Sequence, residues 1–220
     1  MYDTSDGTLL FLAGNRLHCF DRYRECFVGI SGLNGQPCYK TNGLVLLNDS
    51  TYWSITGNKL HLLKRELRER PGTKETVCSF WVLKEFVLAD DKEIVNTICE
   101  SPDKKELFLT TKSCKLLVFN LKTEQLENTI PLFAEMPDSY IVSSTFCDKG
   151  YLWIAMIGGG VLRYDLQSHS LDSFSRYSKE GRTLSHDDVY AFIAVGDKYM
   201  AATWNGYTCL LYTSDAADDL

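Results

Sequence analysis

The chain has 220 residues, of which 45% are hydrophobic and 24% charged, and its formal net charge is −6. These shares are those of an ordinary globular protein and exclude a disordered tail, a collagen-like fibre and a low-complexity segment. The acidic balance disfavours a nucleic-acid or anionic-membrane partner, because contacts to phosphate groups need clustered cations.

Neither a membrane span nor a leader can be recognised in the sequence. No stretch reaches the roughly 18 consecutive apolar residues of a spanning helix. Residues 1–7 lack the basic start and the apolar core of a signal peptide. A missing signal usually indicates a cytoplasmic protein, and it is equally expected of a sequence that does not begin where the natural protein begins.

A repeated pattern of two short apolar runs around a Gly- or Asn-containing turn extends along the chain. Its anchors are 42, 55, 45 and 47 residues apart, and they are Phe11, Trp53, Phe108, Trp153 and Met200. Each copy predicts a β-hairpin, and runs such as 141–147 and 189–195 predict further strands between the hairpins. Four strands in each repeat of about 47 residues are typical of a propeller blade. The sequence therefore predicts an all-β fold, a β-propeller fragment of four to five four-stranded blades that form an incomplete ring.

The longest interval between two anchors, 55 residues, contains a run of mixed charge, residues 64–72, that ends in a Pro-Gly turn signal. We expect an exposed strand and loop extension at this place. A basic binding patch is disfavoured because Glu66 and Glu69 alternate with the cations.

The residues that often carry chemistry do not form a catalytic or metal motif. The eight Cys are scattered without a C-x-x-C pair, so we expect buried free thiols and no metal site. Their even number would permit disulfides, but it is below the density of a disulfide scaffold. We expect no cofactor. Gly158–Gly160 predicts a hairpin turn, since a phosphate-binding glycine run must open a helix. His18 and His61 occupy the repeat position of Leu117 and Leu162, and we expect them, like Trp53 and Trp153, to pack in the core.

The fourth copy, residues 150–165, reads Gly-Tyr-Leu-Trp-Ile-Ala-Met-Ile-Gly-Gly-Gly-Val-Leu-Arg-Tyr-Asp. It resembles the repeat of the two-component regulator propeller family, in which Gly-x-Leu-Trp-Ile-Gly-Thr precedes Gly-Gly-Gly-Leu-x-Arg-Tyr-Asp. Ala155 and Met156 depart from the usual Gly-Thr. The resemblance is specific over residues 143–206 and degenerate, though in register, over residues 1–142.

The resemblance implies the periplasmic, extracytoplasmic sensor of a hybrid histidine kinase of the Bacteroidetes. Its ligand would be a small molecule, an oligosaccharide, and the chain itself would catalyse nothing. The membrane span and the kinase would lie in missing downstream segments, and the full-length protein could form a homodimer. Two alternatives stay open: a carbohydrate-active, glycosidase-like propeller enzyme, and a propeller used only as a protein-interaction platform.

The C-terminal residues, from Cys209 to Leu220, resemble the translated read-through of a sequencing adapter. The repeat pattern ends there as well, since no apolar strand with a closing aromatic and Asp follows. We therefore expect a partial propeller sensor domain over residues 1–208 and a non-native tail over residues 209–220.

The candidate ligand-binding residues lie in connections that we expect on one face of the propeller. A sugar site combines an aromatic platform with amides and carboxylates, as Trp204, Tyr207 and Asn205 do. Trp204 could instead cover a blade edge. Further candidates in such connections are His186, Asp187, Asn15 and Asn58, and for His186 and Asp187 we favour loop capping over acid–base chemistry.

Overall fold

The computed structural model describes residues 2–14, 16–31, 40–70, 72–73, 75–133, 140–178, 183–196 and 198–211. Every regular element in these ranges is a β-strand. None of the described segments forms a helix long and apolar enough to cross a membrane. The chain divides into two compact units, residues 1–98 and residues 99–220.

The first unit contains one sheet of eight strands. The strands are β1 (Tyr2–Asp3), β2 (Thr8–Ala13), β3 (Arg16–Asp21), β4 (Cys26–Ser31), β5 (Gly43–Asn48), β6 (Thr51–Thr56), β7 (Lys59–Glu69) and β8 (Thr76–Val87). Their order is β1-β2-β3-β4-β8-β7-β6-β5, two antiparallel groups of four. The groups are the two predicted blades, and they join where β4 runs parallel to β8, at Ile30 opposite Cys78.

The remaining strands form three antiparallel sheets, each in sequence order. The strands are β9 (Val95–Glu100), β10 (Glu106–Thr111), β11 (Lys115–Asn120), β12 (Gln125–Pro131), β13 (Ile141–Asp148), β14 (Tyr151–Ile157), β15 (Gly160–Asp165), β16 (Leu171–Phe174), β17 (Val189–Val195), β18 (Lys198–Thr203) and β19 (Gly206–Leu211). Sheets β9–β12 and β13–β16 have the four strands of a blade, and β17–β19 has three described strands. The predicted all-β propeller fragment of four to five blades is confirmed.

The predicted tail begins inside β19. Backbone pairing with β18 continues to Leu211, opposite Lys198, and residues 212–220 lie outside the described ranges. The boundary at residue 209 stays a prediction.

The cores confirm most of the predicted buried positions, but the burial expected of the cysteines is wrong for Cys26, which is exposed, and for Cys99 and Cys147, which are partly exposed. Trp53 and Trp153 are buried, and so is His61. His18 is only half-buried, because it alternates along β3 with the buried Leu17 and Cys19 and so lies on the opposite face of the sheet. Its ring stacks there on that of Phe11, at a centroid distance of 5.3 Å. The Gly-rich segment forms the predicted hairpin turn between β14 and β15.

An Asx turn explains why the repeat ends in an Asp or Asn. In three repeats this residue accepts hydrogen bonds of 2.8–3.0 Å from the amides two and three positions later. These residues are Asp21, Asn120 and Asp165. Four positions after each of them a residue has positive φ: Glu25 (52°), Glu124 (56°) and His169 (60°). The side-chain oxygen thus organises the turn into the last strand of the blade.

The second repeat has Lys64 at this position, and a lysine cannot accept hydrogen bonds from backbone amides. Strands β7 and β8 accordingly continue as one ladder from the Lys59–Val87 pair to the Glu69–Thr76 pair. The predicted strand extension is confirmed. Its predicted exposure is wrong for Arg65, which is 5% exposed, because strand alternation places Arg65 on the same face as the buried Leu63.

Substituting glycine for Glu25 is expected to raise the free energy of unfolding by about 0.5–1 kcal/mol, because glycine adopts positive φ without steric cost. Urea denaturation measures the change. Glu25→Ala removes the same exposed side chain but keeps the Cβ atom, so it should not stabilise. Equal stability of the two variants would contradict the prediction.

Candidate functional site

The predicted binding residues lie on two segments that are hydrogen-bonded to each other. One is the loop before β17, with His186 and Asp187, and the other is the turn between β18 and β19, with Trp204 and Asn205. The backbone amide of Trp204 donates to the carbonyl oxygen of Asp188 at 3.2 Å. The Ser185 and Thr203 hydroxyl groups are also hydrogen-bonded, at 2.7 Å. The structure therefore places both predicted segments at one end of the β17–β19 sheet.

Aromatic side chains project into solvent at this end. Trp204 is 70% exposed and Tyr207 is 78% exposed, so neither ring is covered by the described residues, and the Asn205 side chain is exposed beside them. Tyr190 of β17 lies next to Trp204, with ring centroids 6.4 Å apart and the planes inclined by 41°. Sequence reasoning missed Tyr190, although its place next to the apolar Val189 at the start of a predicted strand could have indicated an exposed ring.

His186 and Asp187 hold the loop in place. The Oδ1 atom of Asp187 accepts a hydrogen bond from the Arg176 amide at 2.7 Å. The Nδ1 atom of His186 accepts one from the Asp188 amide at 2.9 Å. This is the capping role favoured from the sequence. The groups on these segments that have room for a ligand are therefore the aromatic rings and the Asn205 amide.

The amide of Asn58, in the first unit, is engaged by its own neighbouring loop. Asn58 is buried, and its Nδ2 atom donates to the carbonyl oxygen of Ala89 at 2.8 Å and to Asp91 at 3.3 Å. It was predicted on the ligand-binding face, but these contacts commit its amide to fixing a neighbouring loop. Asn15 lies outside the described residues.

Sequence reasoning also missed a cleft of about 370 Å³ between the β9–β12 and β13–β16 sheets. Its lining combines apolar and polar side chains: Glu106, Phe108, Val118, Asn128, Ile130, Tyr164, Leu166 and His169. The Tyr164 hydroxyl and the Nδ1 atom of His169 are hydrogen-bonded at 2.8 Å. No sequence signal could identify it, since residues about 60 positions apart form its walls.

The cleft has a protonatable carboxyl group at Glu106. Burial, followed by the nearby charges of Asp103 and Glu127, raises the pKa of Glu106 above its ordinary value. Glu106 is the single carboxylate among the described lining residues, whereas a glycosidase needs two across its substrate. In the described ranges no group of three or more His, Cys, Asp or Glu side chains could hold a metal ion.

No protein-family model matches the chain, and no curated protein matches it in sequence. Solved structures do match. The extracellular domain assigned to the hybrid two-component system BT4673 of B. thetaiotaomicron is 15% identical, with a TM-score of 0.67 over 97% of this chain and 28% of that one. The corresponding domain of BT3049 from the same organism is 17% identical, with a TM-score of 0.62 over 94% and 26%.

A candidate 6-phosphogluconolactonase from Bacteroides uniformis is 14% identical, with a TM-score of 0.56 over 92% of this chain and 62% of that one. At such identities the likeness concerns the fold. The chain is a β-propeller fragment with the fold found in extracellular domains of hybrid two-component systems. It spans about a quarter of the length of those domains.

Proposed function

We propose that the protein is a ligand-sensing propeller segment from the extracytoplasmic, periplasmic side of a hybrid two-component regulator, and that its ligand is an oligosaccharide. The observation that carries the proposal is the exposed pair of Trp204 and Tyr190 beside Asn205. Sugar rings have apolar faces that pack on aromatic rings and polar edges that bind amides. The fold shared with two-component ectodomains supports the sensing role.

Ligand binding would act through the loop of residues 183–188. The backbone amide of Trp204 donates a hydrogen bond to the carbonyl oxygen of Asp188. The carbonyl oxygen of the adjacent Asp187 accepts a hydrogen bond from the Gly160 amide of β15 at 2.8 Å. A ligand held at Trp204 would therefore favour one arrangement of the loop, and the loop contacts the next sheet. The signal is a shift between conformations with no chemical step. The segments that cross the membrane and carry the kinase would belong to the rest of the regulator.

The proposal is tested by calorimetric titration of the protein with a panel of glycan oligosaccharides. We expect Trp204→Ala to weaken binding by about 10–30-fold, since a central Trp often contributes about 2 kcal/mol to binding. Tyr23→Ala is the matched control, because Tyr23 is a highly exposed aromatic residue of the first unit and its loss should not change affinity.

Two results would contradict the proposal: no heat with any oligosaccharide of the panel, or unchanged affinity of Trp204→Ala. Turnover of a chromogenic glycoside that is lost in Glu106→Gln would instead support the enzyme alternative at the cleft. Binding of a protein partner in place of the sugars would support the interaction platform.

A further inference from the structure

Two cysteines of the second unit meet across neighbouring sheet edges. Cys99 lies on β9 and Cys147 on β13, and each of these strands is the edge strand of its sheet. Their Sγ atoms are 3.8 Å apart. Both residues are partly exposed, and both pack against the same apolar cluster. The thiols are thus held in contact on strands that share no backbone hydrogen bond.

The geometry is close to that of a disulfide bond. A disulfide has an S–S distance of about 2.0 Å, so the two sulfur atoms need to approach by less than 2 Å. A bond between them requires that rotation of the two side chains supply this movement while the strands stay paired within their sheets. The hydrogen bond with Cys99, and then burial, raise the pKa of Cys147 far above its ordinary value, so Cys147 rests as a protonated thiol.

We propose that Cys99 and Cys147 form a disulfide bond that joins β9 to β13. The proposal replaces the free thiols expected at these two positions, and it rests on the proposed function for its oxidising, extracytoplasmic compartment.

Oxidation proceeds by thiol–disulfide exchange with a small disulfide such as oxidised glutathione. One cysteine thiolate attacks a sulfur atom of the oxidant, forms a mixed disulfide and releases one glutathione thiolate. The second cysteine then attacks the protein-bound sulfur and releases the second glutathione. Two protein thiols lose two electrons and two protons, and the oxidant becomes two molecules of reduced glutathione.

A second thiol pair in the first unit provides an internal comparison. Cys19 and Cys78 pack in one apolar cluster and are both buried, and the Nε atom of Arg65 donates to the Cys78 sulfur at 3.3 Å. A dissolved disulfide reaches partly exposed thiols but not these two. In the folded protein we therefore expect oxidation at Cys99 and Cys147 and reduced thiols at Cys19 and Cys78.

The experiment equilibrates the purified protein in glutathione buffers from reducing to oxidising. Remaining thiols are then blocked, and the digested protein is analysed by mass spectrometry. We expect a cross-linked pair of peptides containing Cys99 and Cys147. The melting temperature should rise by about 5–10 °C on oxidation, because the bond closes a long loop in the unfolded chain.

Cysteine variants show which residues cause the cross-link and the rise in melting temperature. Cys99→Ser and, independently, Cys147→Ala should abolish the cross-link and the rise in melting temperature, whereas Cys26→Ser, at an exposed cysteine, should change neither. The proposal is overturned if both thiols stay reduced in the folded protein under oxidising buffer, or if cross-linking needs denaturant. The cross-link is measured without sugar, so its absence is distinguishable from a failed titration with oligosaccharides.

Discussion

The Asp6→Asn variant is expected to lose about 2–4 kcal/mol of unfolding free energy, because it leaves a buried charge without its counter-charge. The Arg65 side chain is 3% exposed, and its Nη1 atom is 2.8 Å from the Oδ2 atom of Asp6, whose side chain is 38% exposed. Arg65 also donates to the Thr8 hydroxyl and to Cys78. Urea denaturation measures the loss, which we place below that of a fully buried pair because water screens Asp6.

Asp172→Asn is the matched control. Asp172 pairs with Arg163 at 2.6 Å, but its side chain is 54% exposed, and exposed pairs contribute about 0–1 kcal/mol. Equal losses in Asp6→Asn and Asp172→Asn would show that burial of Arg65 does not matter. The double variant Asp6→Asn/Arg65→Met should recover stability, since an apolar side chain of similar length needs no counter-charge.

The same ion pair predicts a pH dependence. Burial raises the pKa of Asp6, but hydrogen bonds from Arg65, Thr4 and Thr8 outweigh it and hold the pKa well below its ordinary value. The unfolded chain therefore binds this proton at higher pH than the folded protein does. The stabilisation is complete above the unfolded pKa of about 3.9 and declines as the pH falls below it. The stability difference between wild type and Asp6→Asn should accordingly narrow under acid, and a constant difference would contradict the assignment.

Gly160→Ala is the second substitution with a large expected effect, about 3 kcal/mol or more. Gly160 has a φ of +71°, and a Cβ atom there would lie 2.2 Å from the carbonyl oxygen of Phe174. The backbone of β15 or β16 would have to move, in addition to the cost of a left-handed conformation for alanine. The movement would also strain the hydrogen bond from the Gly160 amide to Asp187.

Gly150→Ala has the cost of a left-handed conformation without the steric clash. Gly150 has a φ of +81°, and no atom lies within 4 Å of the position that a Cβ atom would take. This variant should lose only about 1 kcal/mol in urea denaturation. If the two alanine variants were equally stable, the close approach at Phe174 would have no energetic consequence.

The strands could be predicted from the sequence because their pattern is local. Apolar alternation and turn residues fix each hairpin, and the ending in Asp21, Asn120 or Asp165 acts within four residues. The burial of Arg65 could not be predicted in this way, since its partner Asp6 is 59 positions away. From the sequence alone, a charged residue in a mixed-charge run is predicted to be exposed, because its distant partner is not known.

The residues of the candidate site also differ in whether local sequence is enough to predict them. Trp204 and Asn205 could be identified because a turn residue between two short strands stays exposed when no other segment covers it. Asn58 has the same local pattern, but a carbonyl group 31 positions away takes up its amide. The cleft at Glu106 depends on how two sheets approach each other, and no single segment encodes that approach.

The parallel contact between β4 and β8 has a consequence for the behaviour of the protein in solution. The outer strand of a sheet exposes a row of amide and carbonyl groups that can pair with another molecule. Here the outer strands β4 and β8 pair with each other over part of their length, from Gly29 opposite Val77 to Ser31 opposite Ser79. The first unit thereby shields from intermolecular strand addition a part of two edges that separate blades would have left open.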